Sequence, residues 1–316
     1  MNEKRRQPIT KRIFLPKQNP TPIEKSTVVW LSGMMISLFF VAACFNVASG
    51  RSVPILQPAD TPELEPVAFL PTVTRAVEGE PVSWWQPSPG TSWQWQLSGT
   101  VDTSVDVQMY DIDLVETPTA TITELKTAGR TVICYFSAGS WEAFRDDADR
   151  FPAAVLGSAM DGWTDERWLD IRQIDLLAPI MLPRLDLAVS KGCDGVEPDN
   201  VDGYANDSGF PLTGAHQLAY NRWLAKSAHD RGLSIGLKND LDQIPDLVAD
   251  FDWALNEQCV EFAECELLSP FVQAGKAVFG VEYEGEAATF CPVVNALNFD
   301  WLHKRLDLDA WRVACR

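Results

Sequence analysis

The chain has 316 residues, 44 acidic and 26 basic, and a formal net charge of −18 at pH 7. Residues 1–43 hold seven of the basic and two of the acidic residues, which leaves 19 basic and 42 acidic residues in the remainder. A surface this acidic repels nucleic acid and anionic lipid, so a nucleic-acid-binding function is disfavoured. It would attract a cationic partner, such as a polymer of free amino sugars; alternatively, the acidity only confers solubility.

The amino-terminal segment has the charge pattern of an export signal. Residues 1–26 are a basic stretch, and residues 27–43 are an uncharged apolar run directly after it. The length of this run lies between that of a signal sequence and the ~20 residues of a spanning helix. Cys44 follows Val41-Ala42-Ala43, which resembles the cleavage box of bacterial lipoproteins, whose cysteine is lipidated. A lipoprotein is favoured over an uncleaved anchor, and both predict an exported, extracytoplasmic, membrane-tethered protein.

Residues 44–90 contain eight prolines and little apolar periodicity, which predicts an extended, Pro-rich linker. Residues 91–316 suit one large α/β domain, because short apolar runs alternate there with amphipathic stretches such as 215–231. The eight predicted strands lie at 93–97, 105–110, 131–136, 168–171, 195–199, 234–238, 253–256 and 277–281. Eight strands alternating with helices favour a (β/α)₈ TIM barrel. No nucleotide-binding glycine loop follows any strand, which argues against a doubly wound nucleotide-binding sheet.

Polar side chains follow seven of the predicted strands. Because the carboxyl ends of parallel strands form one mouth of a barrel, these side chains are predicted to line a single binding site. Carboxylates, amides and tyrosines suit a polyhydroxylated ligand, since they supply many hydrogen bonds and aromatic faces. The predicted substrate-binding residues are Tyr110, Asp111, Asp113, Tyr135, Ser137, Asp170, Arg172, Glu197, Asn200, Asp202, Tyr204, Lys238, Asn239, Glu282 and Tyr283.

Asp199 and Glu257 are the predicted catalytic pair. Glycoside cleavage needs two carboxyl groups, ~5–5.5 Å apart for retention of configuration and ~6.5–9.5 Å apart for inversion. The two residues end alternate predicted strands, the fifth and seventh, so their inward side chains share a layer. The apolar run before Glu257 suits a general acid, and the amide of Asn200 could hold Asp199 ionised. Glu197 is the chief rival catalyst, because it lies on the same face as Asp199.

Six cysteines remain after Cys44, an even number that suggests disulfides in an exported chain. The closest pair is Cys259 with Cys265, a second bridge would join Cys291 to Cys315, and Cys134 with Cys193 is the pair left over. Metal binding by these thiols is not expected, since no Cys-x-x-Cys or neighbouring histidine supports it. An Asp199, Asp202, Asp207 calcium site lacks the EF-hand spacing, so we expect no metal and no cofactor.

Four stretches resemble glycoside hydrolase family 114: 132–140, 192–204, 236–239 and 256–259. The most specific of them is the run Asp-Gly-Val-Glu-Pro-Asp-Asn, residues 194–200. The resemblance spans roughly Trp93 to Arg316 and leaves out the anchor and the linker.

This resemblance implies a (β/α)₈ barrel and an endo-acting α-1,4-polygalactosaminidase that cleaves galactosamine-rich exopolysaccharide. It also implies retention of configuration, with Asp199 as the nucleophile and Glu257 as the acid/base. The expected partner is therefore a cationic or partly acetylated amino-sugar polysaccharide. The alternative is a non-catalytic cell-surface polysaccharide-binding protein on the same barrel.

Overall fold

The computed structural model describes residues 83–316, which contain twelve strands and six helices. The strands are β1 (Trp93–Gln96), β2 (Met109–Asp113), β3 (Thr131–Ser137), β4 (Ser140–Glu142), β5 (Leu156–Met160), β6 (Trp163–Leu169), β7 (Gly195–Asp199), β8 (Ser234–Lys238), β9 (Trp253–Glu257), β10 (Val278–Glu282), β11 (Asp300–His303) and β12 (Val313–Ala314). The helices are α1 (Thr119–Thr127), α2 (Ile174–Lys191), α3 (Gly214–His229), α4 (Ile244–Leu247), α5 (Ser269–Gln273) and α6 (Ala287–Ala296).

Eight of the strands form one parallel sheet in the order β1-β2-β3-β7-β8-β9-β10-β11, and β12 adds to β11 in the antiparallel sense. The sheet curls until its two edges meet: Trp93 Nε1 on β1 donates to the carbonyl oxygen of Asp300 on β11 at 2.9 Å. Nearby, the backbone N–H of Leu97 donates to the carbonyl of Leu308 at 3.0 Å. This architecture is consistent with the predicted (β/α)₈ barrel.

Two apolar cores result from the alternation of side chains along the strands. The inner core fills the curl of the sheet with large side chains such as Trp93, Trp253 and Phe279, all fully buried. The outer core lies between the sheet and the helices. Gly236 on β8 is required by the inner core, because a Cβ at this position would lie 2.3 Å from the Trp253 ring.

The prediction of a strand at 168–171 is wrong, and the strand Asp300–His303 was not predicted. Trp168 belongs to β6, whose alternating exposed and buried residues form an antiparallel sheet with β4 and β5. The fourth parallel strand is therefore β7, and Asp199 and Glu257 end the fourth and sixth parallel strands rather than the fifth and seventh. The two strands still alternate, with β8 between them.

Buried ion pairs fasten this three-stranded sheet to the main one. Arg145, which follows β4, binds Asp113 at the end of β2 at 2.7 Å and Glu142 at 3.0 Å. Arg184 on α2 pairs with Asp147 at 2.7 Å and donates to the carbonyl of Ser137. Because the guanidinium groups are almost completely buried, removing any partner would leave an uncompensated charge.

All three predicted disulfides are confirmed. Cys134–Cys193 joins β3 to the residues before β7, Cys259–Cys265 closes the loop after β9, and Cys291–Cys315 ties α6 to the end of the chain. Three disulfides in one domain indicate an oxidising compartment outside the cytoplasm.

The described chain begins with a segment, residues 83–90, that packs against the amino-terminal side of the parallel strands. Trp84 Nε1 donates to Asp252, just before β9, at 2.8 Å, and Gly90 N donates to Asp300 at 3.0 Å. The last residues of the predicted linker thus contact the domain. The predicted basic stretch 1–26, apolar run 27–43, lipidation site Cys44 and linker residues 44–82 lie outside the described residues. Within residues 83–316, no helix combines the length and the apolar character needed to cross a membrane.

Replacing Gly236 with Ala is expected to destabilise the protein by about 2 kcal/mol or more, because the new methyl group overlaps the Trp253 ring inside a packed core. Urea unfolding measures this change. Gly275→Ala is the matched control, since that glycine has a positive φ of +75° but open space around it. Gly275→Ala should lower the free energy of unfolding only by the backbone strain of an alanine at positive φ, about 1 kcal/mol. Equal losses in the two variants would contradict the packing explanation.

Candidate active site

Lys238 lies at the centre of a cluster of carboxylates where β7, β8 and β9 end. Its Nζ is 3.0 Å from Glu197 Oε1, 3.1 Å from Asp199 Oδ1 and 3.4 Å from Glu257 Oε2. The Lys238 side chain is 2% exposed, whereas those of Asp199 and Glu257 are 17% and 16% exposed. The cation is thus sealed beneath the mouth, and the two carboxylates that it joins can reach a ligand.

Three donors surround the carboxylate of Asp199. Lys238 and the backbone N–H of Asn200 both donate to Oδ1, the latter at 2.8 Å, and Tyr135 Oη donates to Oδ2 at 3.2 Å. Donors of this kind stabilise the ionised form of a carboxyl group. The same carboxylate acts on Tyr135: burial first, and then the charge of Asp199, raises the pKa of this tyrosine well above its usual value. Tyr135 therefore stays a hydrogen-bond donor.

Asn239 and Tyr283 orient Glu257. Asn239 Oδ1 accepts the backbone N–H of Glu257 at 3.1 Å, which turns its Nδ2 toward Glu257 Oε2 at 3.2 Å. Tyr283 Oη forms a hydrogen bond with the other oxygen, Oε1. A hydroxyl can donate to the carboxylate or accept from the protonated acid, so this contact is compatible with both protonation states of Glu257.

The shared ammonium limits the distance between the two carboxylates. Asp199 Oδ1 and Glu257 Oε2 contact the same nitrogen at 3.1 Å and 3.4 Å, so these two oxygens are at most 6.5 Å apart. The side chains come from alternate strands and point to one side of the sheet, with Lys238 between them. Two carboxyl groups at this separation can flank a single glycosidic bond.

The residue after each of these three strands has a left-handed backbone. Asn200, Asn239 and Gln258 have φ values of 62°, 51° and 67°. Asparagine tolerates this region better than most residues, whereas glutamine is strained there. The turn after β7 also packs against the residues that follow β3, since a Cβ at Gly139 would lie 1.6 Å from the carbonyl oxygen of Asn200. These sharp turns end the strands at the charged residues, and two of these, Asp199 and Glu257, are partly exposed at the mouth.

Glu197 and Trp95 lie below the mouth. Glu197 is completely buried, and its Oε2 accepts Trp95 Nε1 at 3.0 Å while Oε1 contacts Lys238. The Lys238 ammonium also lies 4.8 Å from the centre of the Trp95 ring, a cation–π contact. Glu197, the predicted rival to Asp199, is therefore enclosed within the protein, whereas the Asp199 side chain is 17% exposed.

The cluster keeps Lys238 charged. Burial alone would lower the pKa of Lys238, but Asp199, Glu197 and Glu257 together raise it well above its usual value. Burial raises the pKa of Glu197 above its usual value against the opposing effect of the lysine. One ammonium among three carboxyl groups leaves the site with an excess of negative charge, which suits a cationic ligand.

Several predicted substrate-binding residues lie away from the mouth. Tyr110 points into the outer core, where its hydroxyl donates to the carbonyl of Val105 at 2.7 Å. Asp113 is bound to Arg145 and also accepts the backbone N–H groups of the turn after β2. Asp111 is fully buried beneath the cluster. The sequence placed all three at a strand end, but it did not show which way each side chain faces.

The pair Asp170 and Arg172 and the residue Glu282 are used within the fold. Asp170 and Arg172 form a two-pronged ion pair with each other, at 2.7 Å and 2.8 Å, after β6. They follow a strand of the small antiparallel sheet, so the rule that places polar residues at the barrel mouth does not apply to them. Glu282 accepts the backbone N–H of Val260 at 2.9 Å and so fixes the disulfide-closed loop after Glu257.

A second polar group borders the mouth beyond β7 and β8. Tyr204 lies near Asp240, and burial followed by the charges of Asp202 and Asp242 raises the pKa of Asp240 to about 8. Asp202 and Tyr204 thus lie beside the site rather than against Lys238. Within residues 83–316, no group of three His, Cys, Asp or Glu side chains has the arrangement of a metal site.

The sequence indicated some residues of the site without their roles. Ser137 and Asn200 were predicted to bind substrate, but they bond to each other at 3.0 Å, and Asn200 also donates to Ser140 at 3.2 Å. Trp95 and Ser140 were not predicted. A usable signal existed: a carboxamide residue directly follows Asp199, Lys238 and Glu257 in the sequence.

A curled parallel sheet with two accessible carboxyl groups at its mouth is an arrangement that suits the cleavage of a glycosidic bond. The chain belongs to glycoside-hydrolase family GH114, whose model matches residues 74–316. This confirms the predicted family and the prediction of an enzyme.

The structure is similar to that of Ega3 from Aspergillus fumigatus, solved in complex with galactosamine. The two chains are 44% identical, with a TM-score of 0.71 over 74% of this chain and 98% of that one. The glycoside hydrolase domain of PelA from Pseudomonas aeruginosa is 14% identical, with a TM-score of 0.57 over 72% and 99% of the two chains, which shows a common fold. A protein of Deinococcus radiodurans is 28% identical over 287 residues, 81% of this chain and 89% of that one.

Lys238→Met is expected to lower the free energy of unfolding by about 3 kcal/mol or more at pH 8, because Glu197, Asp199 and Glu257 lose their shared cation. In the variant these carboxyl groups bind protons more tightly in the folded than in the unfolded state. The decrease in the free energy of unfolding caused by Lys238→Met should therefore be smaller toward about pH 5 and larger as the pH rises. The wild type retains the contribution of Lys238 across this range, because the raised pKa of the lysine is passed only at higher pH.

Urea unfolding at about pH 5 and pH 8 measures this pH dependence. Lys226→Met is the matched control, since Lys226 is exposed and pairs with Asp230 on the surface. It should change stability by less than about 1 kcal/mol at either pH. A Lys238→Met loss that is small, or equal at both pH values, would show that the cluster does not depend on the ammonium.

Proposed function

We propose that this protein is an endo-acting, retaining glycosidase that cleaves α-1,4-linked galactosamine-rich exopolysaccharide. Asp199 is the nucleophile and Glu257 is the acid/base, on a closed (β/α)₈ barrel. The observation that carries this proposal is the contact of both carboxylates with one buried ammonium. Their nearest oxygens are held within 6.5 Å, at the lower edge of the range for inverting enzymes and compatible with the ~5–5.5 Å of retaining ones.

In the first step, Asp199 attacks the anomeric carbon while Glu257 gives its proton to the glycosidic oxygen. The bond between the anomeric carbon and the glycosidic oxygen breaks. The three donors to Asp199 support its role, because they hold its carboxylate in a fixed position. In the second step Glu257, now a carboxylate, takes a proton from water, and the resulting hydroxide displaces Asp199 from the sugar. The Tyr283 hydroxyl can follow the change in the protonation state of Glu257.

The proposed substrate is a polymer with positively charged amino groups. Galactosamine is present in the crystal structure of Ega3, which is 44% identical to this chain. The chain has a net charge of −18, and the mouth itself carries more carboxylates than cations. Long-range attraction therefore favours a polymer with free amino groups over a fully acetylated one.

We propose that residues 27–43 and Cys44 tether the enzyme to a membrane outside the cytoplasm, with Cys44 lipidated. The disulfides support export. Residues 83–90 meet the domain at the amino-terminal side of the strands, and the carboxylates lie at the opposite, carboxyl-terminal side. A tether attached there holds the domain by the end opposite its mouth, which leaves the mouth open to polymer.

Asp199→Asn and Glu257→Gln are each expected to lower kcat on partly deacetylated galactosamine polymer at least about a hundredfold. Each change removes one charge or one transferable proton and little volume, so the fold should survive. Release of reducing ends measures the rate, and circular dichroism checks the fold. Asp186→Asn and Glu124→Gln are matched controls at exposed positions. Near-normal activity in either catalytic variant would remove that residue from the pair.

Cys44→Ser in the full-length chain is expected to abolish lipidation and to release or misprocess the protein. Membrane fractionation followed by mass spectrometry of the amino terminus measures the outcome. Retention in the membrane, with an intact amino terminus in both proteins, would instead show an uncleaved anchor. Ser49→Ala is the control, because it lies near Cys44 in the sequence and changes no thiol. A substitution at Cys134 would not serve, because it would break the disulfide with Cys193.

A further inference from the structure

Asp111 on β2 is a buried acid without an ordinary hydrogen-bond donor. Its side chain is sealed inside the curl of the sheet. Among the residues that the structure describes, no N–H or hydroxyl group donates to either of its carboxyl oxygens. An ionised carboxylate in such a place is strongly unfavourable, so this group must be neutral or must bond to another acid.

Its neighbour is another acid, Glu197. Trp95 on β1 is the strand partner of Asp111 and donates to Glu197 Oε2, so the two buried carboxyl groups lie close to each other, and each shifts the pKa of the other. Two carboxylates only repel, and a bond between them needs one proton. The oxygens of Glu197 already accept from Trp95 Nε1 and Lys238 Nζ, one on each oxygen and both at 3.0 Å. This pattern makes Glu197 the anion and Asp111 the donor.

We propose that Asp111 and Glu197 share one proton, carried by Asp111, and that this proton positions Lys238 between the two catalytic carboxylates. Neither acid touches the substrate, so both are positioning residues. The effect on catalysis rests on the proposed function of Asp199 and Glu257. The protonation state of Asp111 is independent of that function and can be measured separately.

The charges around the pair explain how the proton acts. Lys238 faces it from β8, Asp199 lies beyond it on β7, Tyr135 adds a neutral hydroxyl from β3, and Glu257 acts through Lys238. Loss of the proton would add a fourth carboxylate around one ammonium. Lys238 would then be drawn down toward the buried pair and away from the mouth.

The physical setting keeps the proton in place at neutral pH. Burial first, and then the charge of Glu197, raises the pKa of Asp111 well above its usual value, and the opposing effect of Lys238 is smaller. The raised pKa of Asp111 agrees with the buried position of its carboxyl group and with the lack of a donor to its oxygens. The direction of this shift favours retention of the proton by Asp111 at pH values where ordinary aspartates are ionised.

Infrared difference spectroscopy tests the protonation state directly. Protein labelled with carboxyl-¹³C aspartate should show the C=O band of a protonated aspartic acid between about pH 6 and pH 8, where ordinary aspartates are ionised. Asp240, whose pKa is raised to about 8, contributes a band of its own in this range, so the comparison is made in an Asp240→Asn background. There the band should be missing after Asp111→Asn and present after Asp199→Asn, since only the first change removes the protonated group. A spectrum of the Asp240→Asn protein without this band would overturn the proposal, whatever the activity of the enzyme.

Two substitutions of similar shape test the effect on catalysis. Asp111→Asn keeps an N–H donor for Glu197 and cannot ionise, so its kcat should stay within about threefold of the wild type, with the alkaline limb of the pH profile moved to higher pH. Asp111→Leu has no donor, and its kcat should fall about tenfold or more with little change in KM. Equal activity of the two variants, or an unmoved alkaline limb in Asp111→Asn, would show that Asp111 only fills space. If Asp111→Leu does not fold, the pH profile of Asp111→Asn and the infrared band still decide.

Discussion

The site depends on one buried ammonium. Lys238 is almost fully enclosed, yet it contacts carboxylates from β7 and β9 as well as Glu197 beneath them. Taking this charge out of water is costly, and only close opposite charges can offset the cost. The lysine and the acids therefore require one another: the lysine lets three carboxyl groups approach, and they keep it charged.

The rest of the fold places these groups. Parallel strands bring their carboxyl ends to one side, and the left-handed residues Asn200, Asn239 and Gln258 end each strand at its charged residue. The turn after β7 rests on Gly139, which has no side chain to block it. On the far side of Glu257, a disulfide-closed loop and Glu282 hold the chain in place. Strain at the strand ends is tolerated because packed neighbours and hydrogen bonds determine the geometry around it.

Much of this could be predicted from the sequence, for identifiable reasons. Buried parallel strands are short apolar runs with a polar or charged end, and this pattern located β3, β7, β8 and β9. Cysteine spacing in an exported chain suggested the Cys259–Cys265 disulfide, and Cys134–Cys193 was predicted only as the remaining pair. The strand Asp300–His303 was missed because it is short and carries polar residues at both ends, and β6 was misassigned because one half of a hairpin can resemble a parallel strand. These errors shifted the strand numbers but preserved the alternation of Asp199 and Glu257.

The direction of side chains was the part that sequence could not supply. Tyr110 and Asp111 are adjacent on β2, yet one faces the helices and the other the buried cluster, because neighbours on a strand point to opposite sides. The role of Lys238 was equally hidden, since a lysine at a strand end is compatible with contact to substrate or to acids. Its function depends on Glu197, Asp199 and Glu257, which meet only after folding.

The configuration of the first product tests the account most directly. Proton NMR can follow a defined α-1,4-linked galactosamine oligosaccharide during cleavage, before the new reducing end equilibrates. If Lys238 holds the two carboxylates close enough for Asp199 to attack the sugar, the α-anomer should form first. Initial formation of the β-anomer would mean that a water molecule attacks directly between more widely spaced carboxyl groups, and it would contradict this arrangement.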